Sequence, residues 1–263
     1  MIRKIKNLTE EEKSQAGIKK PRKKKKRKKK NWLLRICVVT IIGISLYFFL
    51  SSSIFDVNKI VVKNNSYYTS EQIIQMSGAK VGVNLFKAET RAMKDKLLKD
   101  SYMKNVSVKR TIPSTITIIV EERKEATVIP YGKKYIILDE NGLVLRHSDV
   151  EPKLTLLLGM TIKEMTPGKA LVVEENSVLT DTLYMLQSMK KNNMYFKKID
   201  ITNIIIKAYI YDNLICEGTP ENILNSMENG NLQTVLQDLF NKGIERGIIK
   251  VSTDNYCAFS PMV

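Results

Sequence analysis

A single uncharged run does most to limit what this chain can be. Residues 36–55 form 20 consecutive positions without a charged side chain, and most of them are large and apolar. At a rise of about 1.5 Å per residue, a helix of that length spans about 30 Å, the hydrocarbon thickness of a bilayer. Trp32 and Arg35 come just before the run, where an indole and a guanidinium suit the membrane interface. The sequence predicts a transmembrane helix over 32–52 with these two residues as anchors.

The basic charge of the chain lies almost entirely before this run. Residues 1–35 hold 16 Lys or Arg and three Glu, so they carry +13 of the net charge of +16. Like charges at that density repel and bury no apolar surface, which predicts a disordered tail over 1–31. The positive-inside rule places this tail in the cytoplasm and everything after about Ser53 outside the cell. A nucleic-acid-binding arm is the alternative, but the nearly balanced remainder predicts no nucleic-acid partner.

A cleaved signal peptide is the rival interpretation of the apolar run. Three serines at 51–53 offer small residues after it. A signal peptide, however, has a short basic leader and an apolar core of roughly 7–15 residues. The leader here exceeds 30 residues and the run is longer. These lengths favour a retained, single-pass membrane helix.

The part outside the membrane divides into two patterns of elements. Strand, helix, helix, strand and strand follow one another over about 57–121, with a capping box at 69–72 and a stop at Gly78. This order predicts a small α+β module over 53–123. After residue 124 the strands become short and numerous, with a hairpin at 139–142 (DENG) and helices at about 177–191 and 232–241. The sequence predicts a mostly antiparallel β domain with two helices over 124–263.

Residues that could perform chemistry are sparse. His147 is the single histidine, and three cysteines are too few for a disulfide framework, although Cys216 and Cys257 could pair if their geometry allowed. No nucleophile motif accompanies the histidine, and a lone imidazole makes a zinc site improbable. The sequence predicts no enzyme, no metal and no cofactor. A membrane-anchored cell-wall enzyme remains the enzymatic alternative.

The order of these parts resembles the bacterial cell-division family FtsQ, called DivIB in Gram-positive bacteria. The resemblance covers nearly the whole chain, from the basic tail and single span through a POTRA-like module to the β domain. The stretches that carry it are 55–57 with Ile60 and Val62, 82–86 (GVNLF), 106–110 (VSVKR), Pro113, 120–123 (VEER), 139–142 (DENG) and 247–251 (GIIKV). Each stretch alone is weak, but their order and spacing together are specific.

The resemblance implies a non-enzymatic scaffold of the division machinery. Members of the family join partners of the FtsL and FtsB (DivIC) type and help control the septal peptidoglycan synthase. It implies a plasma-membrane protein with a cytoplasmic amino end and an extracellular carboxyl end, enriched at the division septum. A POTRA-bearing secretion or chaperone component is a third possibility, which would call for tandem modules or a membrane barrel.

The resemblance also implies where a partner would bind. In the family, the late strands of the β domain receive a segment of the FtsB-type partner, which an open strand edge can do by backbone pairing. Carried over, the expected partner-binding residues are Ile248, Ile249, Val251, Thr253, Tyr256 and Phe259. Tyr256 and Phe259 are candidate anchors because aromatic side chains supply large contact area. The alternative for each side chain is that it faces the core.

Overall fold

The computed structural model describes residues 32–254 and 256–262, so the predicted tail over 1–31 lies outside the described residues. The chain divides into two compact units, the first ending at Leu50 and the second beginning at Ser51. Helix α1, Trp32–Leu50, belongs to the first unit and ends two residues before the predicted boundary. Among the described residues it is the one helix long and apolar enough to cross a membrane.

The second unit begins with the predicted small α+β module. A short 3-10 helix, Ser53–Phe55, precedes β1 (Lys59–Lys63), α2 (Ser70–Ser77), α3 (Thr90–Leu97), β2 (Met103–Thr111) and β3 (Thr115–Glu122). The sheet order is β1-β3-β2, with β1 parallel and β2 antiparallel to β3. The observed element order therefore confirms the prediction.

Local sequence explains why these elements form. Thr69 accepts a hydrogen bond from the Gln72 amide (3.3 Å), and the Gln72 side chain accepts one from the Thr69 amide (2.9 Å). This reciprocal capping box starts α2, and Gly78 ends it with a φ of 71° that a residue without Cβ adopts easily. Along β3, Ile116 and Ile118 are fully buried and face the helices, as alternation in a half-buried strand predicts.

A nine-stranded sheet forms the rest of the unit. Its strands are β4 (Glu125–Tyr131), β5 (Lys134–Asp139), β6 (Val144–Ser148), β7 (Thr155–Leu158), β10 (Lys198–Asp200), β11 (Ile206–Tyr209), β12 (Asn213–Gly218), β13 (Arg246–Val251) and β14 (Cys257–Ser260). Their spatial order is β14-β13-β12-β11-β10-β7-β4-β5-β6, and a separate ribbon pairs β8 (Ile162–Glu164) with β9 (Val172–Val173). Five of the eight neighbouring pairs are antiparallel, so the mostly antiparallel sheet is confirmed.

Among the described residues, three helices accompany this sheet, one more than the two predicted. Helices α4 (Asn176–Lys191) and α6 (Asn231–Asn241) were expected, whereas α5 (Pro220–Glu228) was not. Its start is encoded locally: the Thr219 hydroxyl accepts a hydrogen bond from the Asn222 amide (3.2 Å), and Pro220 occupies the first turn. The helix has only nine residues, which leaves little periodicity to detect.

The small module and the large sheet share a second, smaller core. Tyr102, just before β2, packs with Val128, Ile137 and Leu145 on the face of the sheet opposite the main core. The Tyr102 hydroxyl donates a hydrogen bond to Glu125 (2.6 Å), and Arg146 Nε donates to Glu125 (2.9 Å) and to the Tyr102 oxygen (3.0 Å). A partly buried, hydrogen-bonded joint therefore connects the start of β2 to β4 and β6.

Candidate partner-binding site

The expected binding residues fall on two neighbouring strands with different surroundings. Strand β13 lies between β12 and β14 and pairs with both, so its backbone offers no open edge. Ile249 is fully buried and Val251 is 6% exposed, and both belong to the main core. These two side chains therefore face the core, which is the alternative that the sequence left open for each expected residue.

The other expected residues are more accessible. Ile248 and Phe259 are half-buried, and Thr253 and Tyr256 are exposed. Tyr256 exposes 69% of its surface just before β14 begins. The structure therefore places one large, accessible aromatic ring beside the last strand.

Strand β14 forms one edge of the nine-stranded sheet. It pairs antiparallel with β13, placing Ile248 opposite Ser260 and Ile249 opposite Phe259. In the part of the chain that the structure describes, no other strand lies on its outer side. An edge of this kind presents backbone donors and acceptors to an extended peptide.

The register identifies which backbone groups face outward. The Ser252 amide donates to the Tyr256 carbonyl (3.0 Å), which makes these two residues a hydrogen-bonded pair. Hydrogen-bonded and non-hydrogen-bonded pairs alternate in an antiparallel ladder. Ala258 therefore bonds toward β13, and Phe259 directs its own N–H and C=O away from β13. The peptide groups of Phe259 are the central groups of the open edge.

A glycine opposite β14 allows this strand to sit close to β13. A Cβ placed on Gly247 would collide with the Phe259 ring and would lie 2.8 Å from the Ser260 carbonyl oxygen. Gly247 also has a φ of 142°, which side-chain-bearing residues rarely adopt. The Phe259 ring thus packs over Gly247, because the missing side chain leaves space for it. In the sequence, the GIIKV stretch over 247–251 indicated only the family resemblance and gave no sign of this role of its glycine.

Cys216 and Cys257 are not joined by a disulfide. Cys216 on β12 is buried, and Cys257 on β14 is half-buried with its sulfur 3.0 Å from the Ser226 hydroxyl. Burial, and to a smaller extent Cys257 nearby, raises the pKa of the Cys216 thiol. A thiol held neutral in this way behaves as a small apolar side chain.

The residues considered for chemistry are scattered. His147 is exposed, with Nε2 3.2 Å from the Met165 carbonyl oxygen. Glu122 accepts hydrogen bonds from the amides of Ser66 (2.6 Å) and Tyr67 (2.6 Å), which fixes the turn after β1. Over residues 32–254 and 256–262, no group of three or more His, Cys, Asp or Glu side chains could hold a metal ion.

Comparison with known proteins places these features in a family. The family described as "POTRA domain, FtsQ-type" matches residues 55–123. The cell division protein DivIB of Clostridium acetobutylicum is 31% identical over 201 residues, covering 75% of this chain and 80% of that protein. DivIB of Clostridium tetani is 28% identical over 204 residues, covering 75% and 76%. The cell division protein FtsQ of Corynebacterium glutamicum is 29% identical over 107 residues, covering 41% and 47%.

A solved structure is also similar in part. The major extracytoplasmic domain of DivIB from Geobacillus stearothermophilus, as its trans isomer, aligns with a TM-score of 0.33 and 12% identity. The alignment covers 45% of this chain and 96% of that domain. Helix α1 fits a single-pass membrane protein. From the identity and coverage shared with the Clostridium acetobutylicum protein, this chain belongs to the DivIB/FtsQ family of cell division proteins.

Proposed function

We propose that this protein is a non-enzymatic scaffold of the bacterial division machinery. Outside the membrane it binds partners of the FtsL and FtsB/DivIC type and thereby helps to control the septal peptidoglycan synthase. Its membership of the DivIB/FtsQ family supports a role in division. The single observation that carries the binding role is the β14 edge of the nine-stranded sheet.

The mode of binding that the edge supports is strand addition. An extended partner segment pairs with the outward N–H and C=O of Phe259, and backbone pairing of this kind supplies affinity without a deep pocket. Tyr256 lies next to the edge with 69% of its surface exposed, so its ring supplies an anchor. Ile248 and Thr253 flank the same hairpin. Ile249 and Val251 position the site from the core.

The membrane topology follows the charge and the apolar helix. The tail over 1–31 stays in the cytoplasm, the span covers about 32–52, and Trp32 and Arg35 anchor its inner end. The POTRA-like module over 53–123 and the β domain over 124–263 then lie outside, where septal wall synthesis takes place. In this arrangement the protein concentrates at the division septum.

Two substitutions at one position test the strand-addition mode. The full chain in lipid nanodiscs is titrated with a fluorescent peptide from the extracytoplasmic segment of an FtsB/DivIC-type partner. Phe259→Ala removes the ring but keeps the outward N–H. Phe259→Pro removes the ring and the N–H, while the inner ladder through Ala258 and Ser260 is retained.

The comparison of the two variants isolates the backbone group. We expect Phe259→Pro to bind at least about tenfold more weakly than Phe259→Ala, or about 1.4 kcal/mol. Thermal unfolding of both variants checks that the sheet remains folded. Equal affinities in two folded variants would reject strand addition at this edge.

A further inference from the structure

One end of the small module is formed by the segment after α1, the loop over 80–88 and the turn between β2 and β3. The surface of this end is unusually apolar. Five of its large apolar side chains are exposed by 40% or more: Ile54, Val81, Val83, Phe86 and Ile112. We call these five residues the apolar patch. Nothing in the proposed partner site uses them.

Three separate segments meet at this end. Asp56 and Asn84 form an isolated antiparallel β-bridge through their backbones. Beside it, the Val57 amide donates to the Val83 carbonyl (2.9 Å), and the Leu85 amide donates to the Phe55 carbonyl (2.7 Å). These contacts place the segment after α1 beside the loop over 80–88. The rings of Phe55 and Phe86 also touch edge to face, with centroids 5.2 Å apart.

The turn between β2 and β3 joins the same end. Arg110 donates hydrogen bonds to the carbonyls of Leu85 (2.9 Å) and Ala88 (2.8 Å). On the other side of the turn, the Ser114 carbonyl accepts from the Asn58 amide (2.9 Å). Ile112 lies between these two contacts with 68% of its surface exposed. The patch is therefore assembled from residues far apart in the sequence.

Exposed basic side chains outnumber acidic ones in and beside the segments that form the patch. The segments and the residues next to them carry Lys59, Lys80, Lys87, Arg91, Lys109 and Arg110, against the two acids Asp56 and Glu89. Exposed aliphatic and aromatic side chains accompanied by exposed Lys and Arg suit the boundary between anionic headgroups and acyl chains.

The covalent chain limits how far Ile54 can lie from the end of α1. Ile54 follows Leu50, the last residue of α1, by four residues, which reach at most about 14 Å even when fully extended. We propose that the apolar patch seats the small module on an anionic lipid surface. The lipid headgroups meet these basic side chains, and the patch side chains enter the interface.

The single tryptophan of the chain makes a direct test possible. In a Trp32→Tyr background, one new reporter is introduced at Val81, at Ile112 or, as the control, at Val150. Val150 is also apolar and 75% exposed, but it lies in the loop after β6. Each full-length variant (Val81→Trp, Ile112→Trp, Val150→Trp) is reconstituted into vesicles of phosphatidylethanolamine and phosphatidylglycerol with brominated acyl chains. The fluorescence lost to the bromine is then measured.

Seating on the membrane predicts a clear order of quenching. The reporters at 81 and 112 should be quenched at least about threefold more than the reporter at 150. Adding Lys80→Glu and Lys87→Glu should reduce quenching at 112 in phosphatidylglycerol vesicles and leave it nearly unchanged in neutral phosphatidylcholine vesicles. Equal quenching at all three positions, or none at 81 and 112, would overturn the proposal.

Discussion

The two edges of the nine-stranded sheet are built in opposite ways. At the β6 edge, the Val144 amide donates to the Lys169 carbonyl (2.9 Å) and the Val144 carbonyl accepts from the Gly168 amide (2.8 Å). A neighbouring loop thus occupies the start of that edge. At the other edge, β14 has only four residues, and its Phe259 ring packs directly against Gly247. Proteins commonly cover or blunt edges that must not pair, so the uncovered β14 edge supports the proposed partner site.

The same contrast extends to the side chains. Arg146 on β6 is committed to Glu125 and Tyr102, inside the joint with the small module. Tyr256 at the β14 edge exposes most of its ring. The β6 edge of the sheet therefore contacts the small module of the same chain, whereas the β14 edge is accessible to another molecule.

The largest expected effect comes from disturbing the β14 edge alone. Gly247→Ala forces a Cβ into the Phe259 ring and a strained φ, and we expect a loss of about 3 kcal/mol in the free energy of unfolding. Gly132→Ala is the matched control, because its φ of 61° is also positive but nothing lies within 4 Å of the new Cβ. Thermal unfolding compares the two variants. A Gly247→Ala variant no less stable than Gly132→Ala would show that β14 does not depend on this close contact.

A smaller effect on the free energy of unfolding is expected from removing the Tyr102 hydrogen bonds near the β6 edge. Tyr102→Phe removes the hydroxyl that bonds Glu125 and Arg146, and we expect a loss of about 1–2 kcal/mol. Tyr131→Phe, on a tyrosine that is 49% exposed, is the control. Partner affinity should stay the same in both variants, since β6 belongs to the internal edge. Weaker partner binding in Tyr102→Phe would mean that the two edges are coupled.

The shifted pKa of Tyr102 predicts that the free energy of unfolding depends on pH. Burial, followed by the hydrogen bond to Glu125, raises the pKa of Tyr102 above its ordinary value of 10.0. The unfolded chain therefore loses this proton first, so the stability that Tyr102 contributes is present below pH 10.0 and falls as the pH rises further. Urea unfolding between pH 8 and 11 should show a steeper decline for the natural protein than for Tyr102→Phe. Parallel curves would contradict this assignment.

The smallest effect separates binding from stability at the open edge. Tyr256→Ala removes an exposed ring, so the unfolding temperature should hardly change, while partner binding should weaken by about 1–2 kcal/mol. Tyr184→Ala is the control, because Tyr184 is 59% exposed on α4. Unchanged partner affinity in Tyr256→Ala would remove this ring from the interface.

Local signals in the sequence predicted many individual elements. The capping box at Thr69 and the stop at Gly78 gave α2, and the 139–142 turn gave the hairpin between β5 and β6, where Asp139 accepts from the Asn141 (2.9 Å) and Leu143 (2.8 Å) amides. Such signals depend on residues close together in the chain. They are therefore readable without knowledge of the tertiary structure.

Strand order depends on distant pairings, which the sequence pattern does not reveal. The alternation of Ile249 and Val251 is equally compatible with an edge strand and an internal one, and only the parallel pairing with β12 makes β13 internal. The joint formed by Tyr102, Glu125 and Arg146 likewise unites residues 21 to 44 positions apart. The family resemblance pointed to the β13–β14 hairpin, and the fold shows which of its two strands forms the edge of the sheet.

Hydrogen exchange measured by mass spectrometry tests the open edge most directly. The full chain in nanodiscs is compared with and without the extracytoplasmic segment of an FtsB/DivIC-type partner. Strand addition predicts that the partner slows amide exchange in the peptide that contains Phe259 and leaves the peptide that contains Val144 unchanged. A partner that binds without slowing exchange around Phe259, or that protects Val144 instead, would contradict the account.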